Sequence, residues 1–203
     1  MSGPYLRDEA ILLRQRPSGE KYTSYAFITE NNGVLHALAR ISQKAHSTPR
    51  PDLYDQGGLG LNLTNNGGSN FFKTFDLNNK RRGIGSSYES LSAAAQITNL
   101  YLSNPIHEEN SSDLFQLAQR SLDALDRDVH PNAALIKCLF LFSRYEGYPI
   151  KEEWFKNLPD AETSYAAHII NTPLTEISVD RSILGTVLSS IQHYLEHHTD
   201  IRI

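Results

Sequence analysis

The period of the hydrophobic pattern changes near residue 83. Before that point, short apolar segments alternate with polar positions or are rich in aromatic and β-branched residues, as is typical of strands. After it, apolar residues recur every three to four positions, as on one face of a helix. We place the five predicted strands at residues 9–16, 22–29, 34–41, 58–63 and 70–77. Five consecutive short strands favour a small barrel or sandwich.

Turn-forming residues separate the predicted strands. Pro17-Ser18-Gly19 closes the first strand and Asn31-Asn32-Gly33 ends the second. The polar segment 42–55 contains two prolines and is predicted to be a mobile loop, and residues 65–68, Asn-Asn-Gly-Gly, form a strong hairpin signal. The connections are therefore short, except for one.

Helix signals fill the rest of the chain. Ser86 or Ser87 can cap a first helix that runs to about Ser103, and Ser111 or Ser112 can cap a second. The third, at 131–147, is apolar nearly all round and should be central and buried; a last helix runs from about residue 178. Segment 151–173 is predicted to be irregular or short-helical. The fold class is thus α+β in two parts: a β-barrel domain at 1–82 and an all-helical domain at 83–203.

Composition places the chain among ordinary globular proteins. It is 39% hydrophobic and 21% charged, and its longest apolar run is far shorter than the roughly 20 residues of a membrane span. It shows no secretory signal pattern. The single cysteine, Cys138, excludes an internal disulfide and a cysteine-based zinc site. We therefore expect a cytoplasmic protein that needs no cofactor.

Charge is distributed unevenly between the two halves. Residues 1–82 carry 11 Lys and Arg against 7 Asp and Glu, whereas residues 83–203 carry 8 against 16. Such asymmetry is expected when only one domain meets phosphate, although an excess of four charges is also compatible with a solvated face.

Basic residues of the β half are the candidates for binding DNA. Arg14 and Arg16 share one face of the first strand, because they are two positions apart. The other candidates are Arg40, Lys44, Arg81 and Arg82. Aromatic residues lie among them, and a cationic groove with aromatic stacking platforms is how proteins bind single-stranded nucleic acid. Of these aromatics we assign Phe27, Phe71 and Phe75 to the barrel core and leave Tyr22, Tyr54 and Phe72 open.

Other constellations favour structural roles over chemistry. His193 and His197 are four residues apart and His198 follows, but a zinc site needs further ligands, and histidines commonly complement a helix C-terminus. Segment 82–85, Arg-Gly-Ile-Gly, lacks the rest of a phosphate-binding loop and is interpreted as a linker. Cys138 lies mid-helix as a buried thiol. We predict no metal site and no enzymatic activity.

The ordered set of segments resembles the RecO family of DNA repair and recombination mediators over nearly the whole chain. Its β half matches at 11–14 with Gly19-Glu20, at 29–33 (Thr-Glu-Asn-Asn-Gly) and at 39–44; its helical half matches at 88–102, at Leu114-Phe115 and at 135–149, which ends in a Gly-Tyr pair. Two features depart from the family. The four-cysteine zinc knuckle after the Gly-Tyr pair is missing, and Arg40-Ile41 stands where the family has Lys-Gly.

The resemblance implies a function and partners. It implies an OB-fold barrel that binds and anneals DNA, mainly single-stranded, together with a RecR-like protein, at the nucleoid. It also implies that the helical domain receives the acidic, apolar C-terminal tail of single-strand-binding protein. Lys137 and Arg144 are the candidate cations for that tail, by resemblance and charge type.

Two alternatives remain open at this point. The chain could be a RecO-like adaptor that binds proteins and has no DNA binding. More distantly, it could be a metal-dependent hydrolase that uses the C-terminal histidines.

Overall fold

The computed structural model describes residues 4–41, 50–64, 69–127 and 129–203. The predicted hairpin turn at 65–68 and residues 42–49 of the predicted loop lie outside the described residues. By their internal contacts the chain divides into two units. The barrel unit comprises Met1–Arg81 and Pro105–Phe115; the helical unit comprises Arg82–Asn104 and Gln116–Ile203.

Five strands form a closed barrel, which confirms the predicted fold class. The strands are β1 (Tyr5–Ser18), β2 (Tyr22–Thr29), β3 (Gly33–Arg40), β4 (Gln56–Asn62) and β5 (Asn70–Asn79). Their order around the barrel is β1-β2-β3-β5-β4, as in an OB-fold barrel. All neighbours pair antiparallel except β3 and β5, which pair parallel over two residue pairs, Ala37 with Asn70 and Leu38 with Phe71. The closure between β3 and β5 is therefore narrow.

The barrel interior is apolar and aromatic. Tyr25 and Phe27 of β2 lie at its centre, and Phe27 stacks on Phe75 with ring centroids 6.1 Å apart. The buried cluster consists of Ala10, Leu12, Tyr25, Phe27, Ala37, Ala39, Leu59, Leu61 and Phe75. These residues come from all five strands at alternate positions, as expected for a closed sheet whose inner face is dry.

Two of the three register shifts in the barrel strands change which of the candidate side chains face outward. In β1, Leu12 pairs with Phe27 but Arg14 pairs with Ala26, so Leu13 is an extra residue between them. In β5, Thr74 pairs with Gly60 and Phe72 with Leu61, so Lys73 is extra. Because side chains alternate in a strand, each extra residue transfers the following positions to the opposite face.

The turn between β2 and β3 is fixed by residues distant in sequence. Gly33 has a φ of 61°, a left-handed conformation that favours glycine, and its N–H donates to the Ser111 hydroxyl at 2.8 Å. Ile106 lies 3.5 Å from the point where a Cβ on Gly33 would be. These contacts explain why 105–115 belongs to the barrel unit.

Six α-helices occur in the described residues. They are α1 (Tyr88–Ser103), α2 (Ser111–Asp126), α3 (Pro131–Tyr145), α4 (Ile150–Lys156), α5 (Asp160–Asn171) and α6 (Arg181–His198). Ser87 caps α1, as one of the two predicted serines, by accepting from the N–H of Ser90 at 3.0 Å. The last helix begins three residues later than expected, because the Asp180 carboxylate caps it by accepting from the N–H of Ser182.

Helix α3 is the centre of the helical unit, as its all-round apolar pattern predicted. It packs against α1, α4, α5 and α6, and nine of its 15 residues are buried. Phe142 meets Tyr101 of α1 edge to face at 5.4 Å, and Phe140 contacts Trp154 of α4 at 6.4 Å. Among the described residues, no helix is both long and apolar enough to cross a membrane.

Candidate nucleic-acid interface

The outer face of β1, β2 and β3 gathers three of the predicted arginines. The strand register sets Arg14 and Arg16 of β1 and Arg40 of β3 on this face, with β2 between them. Three rows of cross-strand neighbours result: Arg14–Ala26–His36, Arg16–Ser24–Leu38 and Ser18–Tyr22–Arg40. We call this surface, together with Phe71 of β5, the cationic face.

The cations of this face repel one another and, within the described residues, form no ion pair with a carboxylate. In the part of the chain that the structure describes, Arg14, Arg16 and Arg40 form no ion pair with a carboxylate. Arg14 is partly buried, and burial together with the neighbouring Arg16 charge lowers its pKa. Burial and the Arg14 charge also lower the pKa of His36 from its ordinary value. Because each of these cations disfavours the charged form of its neighbour, an anion bound on this surface would stabilise the charged forms.

Two aromatic side chains border these cations. Phe71 pairs with Leu38 across the β3–β5 closure and is 37% exposed, and its ring lies 6.4 Å from that of Tyr22. The assignment of Phe71 to the core was wrong, because the bulge at Lys73 turns it outward and turns Phe72 inward. Phe27 and Phe75 are core residues, as predicted.

The three aromatic residues that the sequence did not assign to core or surface lie on different sides of the barrel wall. Phe72 packs partly buried against the core, and Tyr54 is buried. Tyr22 borders the outer face, where it can offer a ring to a ligand.

Three other predicted DNA-binding residues are placed differently. Arg81 is only 3% exposed, and its guanidinium donates to the Tyr54 carbonyl at 2.8 Å and to Oε1 of Gln56 at 2.7 Å. Its contacts are those of a residue that ties the end of β5 to the barrel wall. Arg82 is exposed but belongs to the helical unit, and Lys44 lies outside the described residues.

Several other basic side chains of the barrel have partners. Arg7 pairs with Asp76 at 3.1 Å, and Lys80 pairs with Asp52 at 2.7 Å. Arg50 donates to the Arg40 carbonyl at 2.6 Å, and the Arg40 side chain is exposed. Lys21 and Lys73 are also exposed and form no ion pair within the described residues. The cationic face differs from the rest of the barrel in that three such arginines lie together on it.

The two cations predicted to bind a partner tail both belong to α3. Lys137 is partly buried and donates to the carbonyl of Thr172, at the C-terminal end of α5, where a cation complements the helix dipole. Burial lowers its pKa. Arg144 is exposed in the last turn of α3. Their separation of seven positions corresponds to about two turns, so both lie on one side of the helix.

The C-terminal histidines and the cysteine occupy structural surroundings. The rings of His193 and His197 lie 4.1 Å apart, and His198 stacks on Tyr194. Within the described ranges, no group of three or more His, Cys, Asp or Glu side chains could hold a metal ion. Cys138 is fully buried, and burial raises its pKa to about 12, far from the reactive thiolate range.

Sequence reasoning missed His36 and Asn70 as members of the site. His36 alternates with Arg40 along β3, so the period of the strand could have placed both on one face. Asn70 had no such signal. Its amide donates to the His36 carbonyl at 3.2 Å, a contact that exists only because β5 returns beside β3.

No protein-family model and no curated protein sequence matches the chain.

Proposed function

We propose that the barrel binds DNA, mainly single-stranded, through the cationic face, and that the chain acts as a RecO-like mediator that promotes annealing or recombinase loading. One observation carries this proposal. Within the described residues, Arg14, Arg16 and Arg40 lie together on one outer face and form no ion pair with a carboxylate, whereas several other basic side chains of the barrel are bound by neighbouring groups. Such cations beside the exposed ring of Phe71 and the half-buried ring of Tyr22 fit a phosphate backbone with unstacked bases.

The remainder of the proposal rests on the family resemblance. A RecR-like partner and a site of action at the nucleoid follow from the RecO-like order of segments. The acidic helical half, with 16 Asp and Glu against 8 Lys and Arg, lowers affinity for DNA by long-range repulsion but leaves the local contacts intact.

The proposal is tested by removing the three charges together. In a fluorescence anisotropy titration with a single-stranded oligonucleotide, three phosphate contacts give a slope of log affinity against log salt near about −2, or roughly 20-fold weaker binding at 200 mM than at 50 mM salt. The triple variant Arg14→Gln, Arg16→Gln, Arg40→Gln should bind roughly 100-fold more weakly at the lower salt, with a slope near zero.

Arg7→Gln is the matched control, because it removes a barrel arginine that already has a partner. It should leave both affinity and slope unchanged. If the unaltered protein binds no DNA at low salt, or binds it without salt dependence, DNA binding is excluded and the adaptor alternative takes its place.

A second candidate function concerns the helical unit, and the exposure of Arg144 favours it. We propose that this end of α3 receives an acidic, apolar C-terminal tail such as that of single-strand-binding protein. Lys137 is a weaker candidate, since its ammonium already binds the Thr172 carbonyl. Arg144→Glu should weaken binding of such a peptide about tenfold, as expected for loss of one charged contact. Unchanged affinity would exclude Arg144 from the site.

A further inference from the structure

A cleft opens on the cationic face where β3 and β5 separate. It has a volume of about 350 Å³ and is lined by Ser24 of β2, residues 34–38 of β3, and Ser69 and Asn70 at the start of β5. All of these belong to the barrel unit. The cleft arises because β5 joins β3 only at Ala37 and Leu38, so that the first half of β3 lacks a strand neighbour on that side within the described residues.

The strand edge that borders this cleft presents hydrogen-bonding groups. The carbonyl of His36 points towards β5, since it accepts from Nδ2 of Asn70. In an antiparallel strand the N–H and C=O of one residue point to the same side, so the His36 N–H also faces the cleft. The Asn70 amide oxygen keeps its acceptor capacity. A donor and an acceptor are thus offered side by side, beside the hydroxyl of Ser24.

The apolar part of the lining complements these polar groups. Val34, Leu35 and Leu38 supply hydrocarbon walls, and Phe71 follows Asn70 directly with an exposed ring. A volume near the lower end of the range of small-ligand sites, about 300–1,000 Å³, suits one heterocycle. A flat ring with donors and acceptors on its edge is the chemistry that these walls and this edge would recognise, and a nucleobase has it.

The position of the cleft connects it with the phosphate contacts. His36 lies in the same cross-strand row as Arg14, and Leu38 in the same row as Arg16. A strand whose backbone follows the arginines can direct a base sideways into the cleft. Bases in a duplex are stacked and paired, so they could enter only after being flipped out, at a cost of a few kcal/mol.

We propose that the cleft between β3 and β5 holds one unstacked nucleobase, and that this contact makes the barrel prefer single-stranded over duplex DNA. The inference rests on the proposed DNA binding and adds the feature that would distinguish the two kinds of strand.

The test compares three probes of equal length by anisotropy at low salt: a single strand with bases, an abasic single strand and a duplex. Loss of one stacked and hydrogen-bonded base should weaken binding about tenfold, so the abasic strand and the duplex should bind about tenfold more weakly than the single strand. Asn70→Leu keeps the approximate size of the side chain but removes the amide, and should bring the single strand close to the abasic level with an unchanged salt slope.

Two further variants protect the interpretation. Ser24→Val narrows the cleft without touching Asn70 and should act in the same direction, which keeps the test valid if Asn70→Leu does not fold. Thr74→Val, on the same strand but away from the cleft, should bind all three probes like the unaltered protein.

Failure of the base site and failure of DNA binding give different results. Equal binding of the base-containing and abasic strands by the unaltered protein, or unchanged preference in both cleft variants, overturns the base site while the arginine-dependent slope remains. Absence of salt-dependent binding to every probe overturns both proposals.

Discussion

The barrel wall has two outer faces that share strand β1 but differ in the arrangement of their charges. On the face formed by the first half of β1 with β4 and β5, Arg7 meets Asp76 at 3.1 Å and Asn78 donates to Glu9 at 3.1 Å. On the cationic face, formed by the second half of β1 with β2 and β3, Arg14 and Arg16 have no such partners within the described residues. We call the first surface the paired face.

The difference between the faces shows that the number of basic side chains does not by itself indicate whether a surface can bind an anion. Both faces carry basic side chains, but the paired face neutralises them internally. Its Arg7–Asp76 pair is well exposed, with side chains 70% and 64% accessible, so it adds little stability. What it does is remove a binding opportunity. The cationic face leaves its charges available, which separates a potential ligand site from ordinary solvated surface.

The largest effect expected from a barrel arginine concerns neither face. Arg81→Ala removes a buried guanidinium from two acceptors, the Tyr54 carbonyl and Gln56, and leaves a cavity. We expect the free energy of unfolding to fall by about 3 kcal/mol, measured by urea denaturation. Arg16→Ala, on an exposed site, should change it by less than about 0.5 kcal/mol. If the Arg81→Ala protein is as stable as the unaltered protein but binds DNA more weakly, Arg81 contacts DNA and its structural role is excluded.

An intermediate effect is expected from pH, through His36. Burial and Arg14 lower the pKa of His36, so it is neutral near pH 7. Protonation at lower pH adds one charge to the cationic face, and affinity for single-stranded DNA should rise about fivefold once the pH has fallen below the lowered pKa of His36. His36→Gln should remove most of this increase. An identical pH profile in that variant would show that other groups are responsible.

The same protonation has the opposite sign for stability. Because the folded-state pKa is lowered, the folded protein disfavours the charged form. The stability that neutral His36 contributes is complete above the ordinary histidine pKa of about 6.5 and is lost as the pH falls from there through the lowered pKa of the folded protein. Circular dichroism at each pH is the control that separates binding from unfolding.

The smallest effect is expected on the paired face. Arg7→Gln breaks one exposed ion pair, and the free energy of unfolding should change by less than about 0.5 kcal/mol at low salt. It also leaves Asp76 without its cation, so any DNA affinity should not increase. Weakened DNA binding in this variant would show that the paired face also contacts DNA, so that the two faces do not differ in function.

Much of the fold could be predicted from the alternation of side chains and from caps. The bounds of β2 match the predicted 22–29, and α3 begins at the predicted Pro131. These elements follow local rules of period and capping. The segment 105–115 was out of reach, since its place in the barrel unit depends on Ser111 meeting Gly33 across 78 positions of sequence.

Only some residues of the site could be assigned to the correct face from the sequence, because the bulges change the alternation of side chains. Arg14 and Arg16 were assigned to one face correctly, because both follow the extra residue Leu13 and no bulge lies between them. Phe71 and Phe75 were assigned to one face wrongly, because Lys73 lies between them. A bulge cannot be recognised by counting positions along the sequence. Burial of Arg81 was likewise unpredictable, since its acceptors are 25 and 27 residues away.

The bulge at Leu13 acts on β1 as a frameshift acts on a coding sequence. Up to Leu12 the even-numbered residues read inward; after the extra residue they read outward, and Arg14 and Arg16 are in the outward frame. Deleting Leu13 would remove only the extra residue, so Arg14 would follow Leu12 directly and both arginines would stay in the outward frame, opposite Ala26 and Ser24. Deleting Gln15 instead would shift Arg16 by one position and turn its guanidinium towards the apolar interior. Within the segment 13–15, Leu13 is therefore the residue whose loss leaves the frame of both arginines intact.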